Sequence, residues 1–90
     1  KEIEAAARET PWAALKHAAA LLTPDTLEWC ARKYPRTALE NCAKLLTLET
    51  LDWCARKRPW FALVCAAEHL TLETLDWCKN QLLIRTLTEE

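Results

Sequence analysis

Glycine is absent from this chain of 90 residues, and so is methionine. Average usage would give roughly six glycines in a chain of this length. Without glycine, every connection must be made by residues that avoid positive φ, which favours short turns between helices over tight hairpins and phosphate-binding loops. The lack of methionine even at position 1 fits a sequence that is natural in ancestry but shortened, capped or otherwise engineered.

A large net charge and long apolar runs are missing as well. The net charge is -1, with 51% hydrophobic and 28% charged residues, so the composition offers little attraction to nucleic acid or to an anionic membrane. No run approaches the ~20 apolar residues that span a bilayer, and the opening KEIEAAARE lacks the apolar core of a signal peptide. We expect one small cytoplasmic domain, residues 1–90, with no membrane partner.

What the chain does contain is a repeated string. TLETLDWC occurs twice and the near copy TPDTLEWC once, each 24 residues from the next. The whole chain divides into copies at 1–22, 23–46, 47–70 and 71–90, the first lacking its first two residues and the last its final four. A fixed period of this length predicts a solenoid, whose units bury their apolar faces against their neighbours.

Each copy predicts two short helices. A threonine opens the first helix as its N-cap and an acid follows in the first turn, where it suits the helix dipole. A proline then breaks the first helix and opens the second. The threonines are Thr23, Thr47 and Thr71, and the prolines are Pro11, Pro35 and Pro59. The last copy has Leu83 instead of proline, so we expect one fused C-terminal helix over about 72–89.

The second helix varies between copies on one face only. A helical wheel places Ala38, Leu39 and Cys42 on the core side of the second copy. The opposite side of that copy is polar: Arg36, Thr37, Glu40, Asn41 and Lys44. In the third copy the same positions are Trp60, Phe61, Val64, Cys65 and Glu68. In the first copy they are Trp12, Ala13, Lys16, His17 and Ala20.

A face that is polar in one copy and apolar in the next is typical of a binding surface. The predicted protein-binding residues are Trp60, Phe61, Val64 and Cys65, with Trp12, Lys16 and His17 at the periphery. The partner is either another protein or a second copy of the chain, since such a patch can pair about a two-fold axis as a homodimer. Alternatively, the C-terminal helix, with Leu82, Leu83, Ile84 and Leu87, covers the patch and the chain is a scaffold without a ligand.

The cysteines predict core packing. Cys30, Cys54 and Cys78 occupy equivalent positions in successive copies, and packed helices lie ~8–10 Å apart. That spacing is too wide for a disulfide or a tetrahedral zinc site, whereas cysteine is a common small core residue. The odd count of five also points to a reducing compartment. Only Cys65, on the variable side, is expected to be exposed or in an interface.

Tryptophans recur at the same interval, at Trp29, Trp53 and Trp77. The wheel places them at the margin of the core, with one edge open to solvent. Aromatic side chains near Arg and Lys can stack unpaired bases, so binding of single-stranded RNA is an alternative. The slightly negative net charge makes nucleic acid an unlikely partner, and the basic residues stand where the helix dipole favours them.

No motif predicts catalysis. His17 and His69 lie 52 residues apart, and neither has a nearby nucleophile or acid at the spacing of known triads. Glu68 and His69 are expected to point to different sides of a helix. The acids Glu28, Asp52 and Asp76 recur as a solvated face. We find no phosphate loop, dinucleotide fingerprint or metal-ligand spacing, and expect no enzyme activity, cofactor or small-molecule substrate.

The period of 24 and the strings TPDTLEWCA and PRTALENCA resemble the leucine-rich repeat variant family. Its pattern is Thr-Pro, a leucine three residues after that proline, an alanine four further on, and a proline that opens the next helix. Leu48 and Leu72 depart from this pattern, as does the Trp-Cys pair. The resemblance implies an all-α, right-handed solenoid of about 3.5 two-helix repeats with capped ends. It implies little about activity, and the iron-sulfur cluster of some members is not expected because no compact cysteine cluster precedes the repeats.

Overall fold

The computed structural model describes residues 2–89, and side chains from residue 3 to residue 85. Within that range the chain is entirely helical and has no strand, which confirms the predicted all-α class. The first helices of the four copies are α1 (Glu2–Glu9), α3 (Pro24–Lys33), α5 (Leu48–Lys57) and α7 (Leu72–Glu89). The second helices are α2 (Pro11–His17), α4 (Pro35–Cys42) and α6 (Pro59–Cys65).

The first helices begin as the sequence predicts. The Thr23 and Thr47 hydroxyls accept hydrogen bonds from the backbone N–H groups three residues later, at 3.3 and 3.1 Å, and Thr71 does the same at 3.2 Å. Each proline opens the following helix. The residue before it has φ between -136 and -134° and ψ between 71 and 73° at all three corners, so the same bend is made three times.

The second helices end earlier than a continuous wheel assumes. Each gives way to a short 3₁₀ turn, at Ala19–Leu21, Ala43–Leu45 and Ala67–His69. The joining residue, Ala18, Cys42 or Ala66, has φ between -142 and -133° and ψ between 14 and 30°. Helices commonly end on a glycine in the left-handed region. This chain has none, and no residue in the described range has positive φ, so the bend is made at negative φ.

Equivalent helices pack side by side. α1 contacts α3, α3 contacts α5 and α5 contacts α7, while α2 contacts α4 and α4 contacts α6. The resulting body measures 49 × 24 × 16 Å. In the last copy, where Leu83 stands in place of proline, α7 runs on for 18 residues without a break, as expected. No helix in the described part of the chain is both long and apolar enough to cross a bilayer.

Small residues allow the copies to approach closely. The Cys54 sulfur lies 3.8 Å from the carbonyl oxygen of Ala31 in the preceding copy. Equivalent contacts of 3.8 Å join Cys30 to Ala7 and Cys78 to Ala55. All three sulfurs belong to fully buried side chains and all five cysteines are free thiols, which confirms the core interpretation. Burial raises the pKa of Cys54 to about 12 and that of Cys42 to about 11.

Candidate functional site

The variable face comprises the solvent-side positions of α2, α4 and α6 identified above. On α6 the side chains of Trp60 and Val64 are 59% and 61% exposed, and Cys65 is also exposed. Polar side chains occupy the same positions on α4, where Arg36 and Glu40 face solvent and lie 3.7 Å apart. Trp60 and Val64 of α6 are therefore exposed at the two positions where α4 has an ion pair.

Phe61 differs from its neighbours on α6. Its ring is half-buried and packs against the core. The Arg36 guanidinium of the preceding copy lies 4.3 Å from the ring centroid, within the range of a cation–π contact. Phe61 is thus already engaged inside the chain, and a partner can reach Trp60, Val64 and Cys65 more easily.

The three predicted residues of the first copy lie on α2. Trp12 is 50% exposed, and Lys16 and His17 are exposed. α4 contacts both α2 and α6. The polar solvent side of α4 therefore lies between these residues and the exposed apolar residues of α6. The structure places all seven predicted residues on second helices, but it does not gather them into one apolar patch.

α7 does not bury the exposed α6 residues Trp60, Val64 and Cys65, although the two helices pack together. Besides leaving Trp60 and Val64 open, α7 exposes 58% of Leu83 and 54% of Ile84. Ile84 also lines a groove of about 280 Å³ with Pro59, the residue before Trp60. Apolar side chains are therefore exposed on both α6 and α7. The alternative in which Leu83 and Ile84 cover the patch therefore does not hold, because Trp60, Val64 and both of these side chains are more than half exposed.

The recurring tryptophans contact cations from their own chain. Arg8 lies 5.1 Å from the centroid of Trp29, Arg32 lies 5.0 Å from Trp53 and Arg56 lies 4.8 Å from Trp77. Each arginine belongs to the copy before its tryptophan. Lys33 and Lys57, one turn further along the tryptophan's own helix, lie 5.5 and 5.4 Å from Trp29 and Trp53. The arginine contacts link one copy to the next, and the lysine contacts lie within one helix.

Asp52, and Glu4 at the equivalent position of the first copy, connect copies, contrary to the expectation of a simply solvated face. The Glu4 carboxylate accepts hydrogen bonds from the Thr23 and Thr26 hydroxyls of the second copy, and these bonds lower its pKa. Asp52 accepts a hydrogen bond from the Thr74 hydroxyl of the last copy. That bond, assisted by Arg56, lowers the pKa of Asp52. Thr23 thus caps its own helix and also contacts the preceding copy. Thr26 and Thr74 contact the preceding copy from the first turn of helices that Thr23 and Thr71 cap.

The histidines do not form a catalytic arrangement in the described residues. His69 Nε2 lies 3.4 Å from Glu68 Oε2, so the expectation that these two side chains point apart is wrong. Neighbouring residues of the 3₁₀ turn at Ala67–His69 are ~120° apart around the axis, so the contact depends on the length of the exposed Glu68 side chain, which reaches across to its neighbour. His17 lies on α2, at the other end of the row of second helices. Residues 3–85 contain no cluster of three or more His, Cys, Asp or Glu side chains able to hold a metal ion.

No protein family, no curated protein and no solved structure matches the chain.

Proposed function

We propose that the chain is a right-handed α-solenoid of about 3.5 two-helix repeats that binds protein through the variable face of its second helices. The side-by-side contacts of equivalent helices and the three matching corners before proline support a solenoid. The contacts that recur between copies, from cysteine to carbonyl and from arginine to tryptophan, support stacking of like units.

The observation that carries the binding function is the change of surface between α4 and α6. Trp60 and Val64 are more than half exposed at positions where α4 carries Arg36 and Glu40. An exposed tryptophan beside a small apolar side chain is the type of anchor that dominates protein interfaces. The polar side chains around it, among them Glu68 and Arg58, are suited to the rim of such an interface.

Transplanting the α4 surface onto α6 tests this proposal. The double variant Trp60→Arg, Val64→Glu places the residues of the second copy at the same positions of the third. A displayed peptide library is selected against the parent, and the enriched peptides are then measured on both proteins. We expect micromolar binding to the parent, loss of at least about tenfold in affinity on the variant, and no loss of folding by circular dichroism.

Two outcomes contradict the proposal. If the double variant unfolds, Trp60 and Val64 belong to the core and not to a binding face. If the enriched peptides bind parent and variant equally, the selected surface lies elsewhere. The single variant Leu21→Glu is the control, because Leu21 is exposed and lies in the first 3₁₀ turn, outside the variable face of α6.

Binding of single-stranded RNA is the second candidate. It rests on a groove of about 470 Å³ whose lining includes Trp53, Trp77, Arg56 and Lys57. The same groove includes Glu49 and Asp52, which oppose a phosphate backbone. RNA binding predicts affinity that falls steeply with salt and is lost on Trp53→Ala with the fold retained. Fluorescence titration of a labelled oligonucleotide at two salt concentrations checks both points.

A further inference from the structure

The second helices form a row that lacks a fourth member. Leu15 on α2 and Leu39 on α4 are fully buried, and each of these helices is followed by another that packs beside it. The equivalent Leu63 on α6 is only half-buried, because α7 runs straight on where a fourth second helix would turn back. The surface that would meet that helix comprises Trp60, Leu63 and Val64 of α6 and Ala67 of the following turn. We call it the α6 end face.

The sequence of the last copy still follows the second-helix register. Leu83 stands 24 residues after Pro59, and Leu87 stands 24 residues after Leu63. Leu83 and Leu87 therefore stand at positions on the core side of the earlier second helices, whereas Thr86 takes the position of the buried Ala62 and Ile84 the solvent-side position of Trp60. In the structure this segment is the second half of α7, and its Leu83 and Ile84 are exposed. The chain thus has an apolar face at the end of the row of second helices. It also has a segment, residues 83–89, with leucines in the second-helix register, but in the structure this segment does not cover that face.

We propose that two molecules of the chain form a dimer about a two-fold axis. In this dimer the second half of α7 of each molecule packs on the α6 end face of the other. This inference rests on the proposed function, in which α6 is a binding surface, and it names the partner. The contact continues the row that α2, α4 and α6 already form. An isologous pairing is closed, so it covers both apolar surfaces at once and leaves none to extend a fibre.

The size of the surface fits a weak dimer. Trp60, Val64, Leu83 and Ile84, each more than half exposed, together present on the order of 400 Å² of apolar area, comparable to the largest patch on a typical monomer. Pairing two copies buries about twice that apolar area, and the polar surface around it brings the total near the ~1,200 Å² lower bound of specific interfaces. We therefore expect dissociation in the micromolar range, visible across an ordinary concentration series.

Sedimentation velocity over that series provides the test, with a matched pair of variants on one helix. Leu83→Glu puts a charge in the proposed contact. Leu72→Glu puts the same charge at a position that is 79% exposed in the first turn of α7, outside the contact. We expect Leu83→Glu to raise the dimer Kd at least about tenfold and Leu72→Glu to leave it within about twofold. Equal effects of the two variants would overturn the proposal.

A second variant restores the proline that opens the second helix in the other copies. Leu83→Pro restores the proline that breaks the first helix in the earlier copies, so residues 83–89 can turn back over α6 of their own chain. We expect a monomer at every concentration, with Trp60 less accessible to acrylamide quenching than in the dissociated parent. A Leu83→Pro protein that dimerises as the parent does would contradict an exchange of α7.

The outcomes separate this inference from the proposed function. A parent that stays monomeric up to about 1 mM overturns the dimer, while the binding face stands if Trp60→Arg, Val64→Glu folds and loses affinity for the selected peptides. A dimer that survives both that double variant and Leu83→Glu is formed by another surface, which also overturns the inference. Loss of folding in the double variant overturns both proposals.

Discussion

α4 and α6 occupy equivalent places in successive copies but present different surfaces. Both follow a corner of the same geometry, with φ near -135°, and both bury an alanine at the same position, Ala38 and Ala62. Their solvent sides are opposite in character, an ion pair on α4 and exposed Trp60 and Val64 on α6. Packing therefore constrains one side of a second helix and leaves the other free to change.

The first helices lack this freedom, which explains why their sequence is repeated. In α5, Cys54 contacts the preceding copy through Ala31, Asp52 contacts the following copy through Thr74, and Trp53 receives Arg32 from the preceding copy. Substitution at any of these positions breaks a contact between copies. The repeated string is thus the part of each copy that must fit two neighbours at once.

The largest expected difference between the two kinds of surface concerns stability. Leu51 on α5 is buried, so Leu51→Ala leaves a cavity and should lower the free energy of unfolding by ~2–5 kcal/mol. Val64→Ala, on the exposed side of α6, should change it by less than ~0.5 kcal/mol. Urea denaturation of the two variants, at a concentration where the parent is monomeric, provides the measurement. A cost for Val64→Ala close to that of Leu51→Ala would mean that the variable face is core.

Thiol reactivity gives the next contrast. Cys54 and Cys42 are buried with pKa values raised to about 12 and about 11, so almost no thiolate is available at neutral pH. Cys65 is exposed. We expect one of the five thiols to react with an aromatic disulfide reagent at least about 100-fold faster than the others, and Cys65→Ser to abolish that fast phase. A fast phase that persists in Cys65→Ser would show that the cysteines between copies open readily.

Features set by local chemistry could be predicted from the sequence. The N-cap at Thr47 and the helix break before Pro59 depend on residues within one turn, and the fused α7 follows from Leu83 in place of proline. The burial of Ala38 and Leu39 and the exposure of Trp60 follow from the helical wheel. In each case the physical cause lies within a few residues along the chain.

Contacts between copies could not be predicted, because they depend on how far one copy is displaced along its neighbour. The spacing of 22 residues between Asp52 and Thr74, or of 21 between Arg32 and Trp53, has no local signature. The same displacement brings Arg36 over Phe61, although the helical wheel predicts that Phe61 faces solvent and is available to a partner. The contact between Glu68 and His69 could not be predicted from a wheel, because a wheel gives the direction of each side chain and not how far it reaches.

A smaller effect is expected from the cation–π contacts. Arg32 lies over Trp53 and pairs with Glu28 at 2.8 Å, so Arg32→Gln removes two weak contacts and should cost ~1 kcal/mol in unfolding free energy. Lys44→Gln is the control, since Lys44 is exposed in the turn after α4 and should cost less than ~0.3 kcal/mol. Equal costs for the two would show that the arginines do not connect the copies.

The smallest expected effect concerns Asp52 and distinguishes contacts between copies from contacts within one. The Thr74 hydroxyl, assisted by Arg56, holds the pKa of Asp52 below its ordinary 3.8. A carboxylate whose folded pKa is lowered stabilises the fold above its unfolded pKa, and this contribution is lost as the pH falls through the folded value. Asp52→Asn should therefore cost less than ~1 kcal/mol at neutral pH, because the group is partly solvated. The difference from the parent should close as the pH falls below the ordinary pKa of 3.8 and through the lowered folded value. Asp76→Asn is the matched control, since Asp76 is the equivalent acid on α7, is exposed, and accepts no hydrogen bond from a threonine within the described residues. If both variants show the same pH dependence, the effect comes from the helix itself, and the bond to Thr74 does not stabilise the stacking of copies.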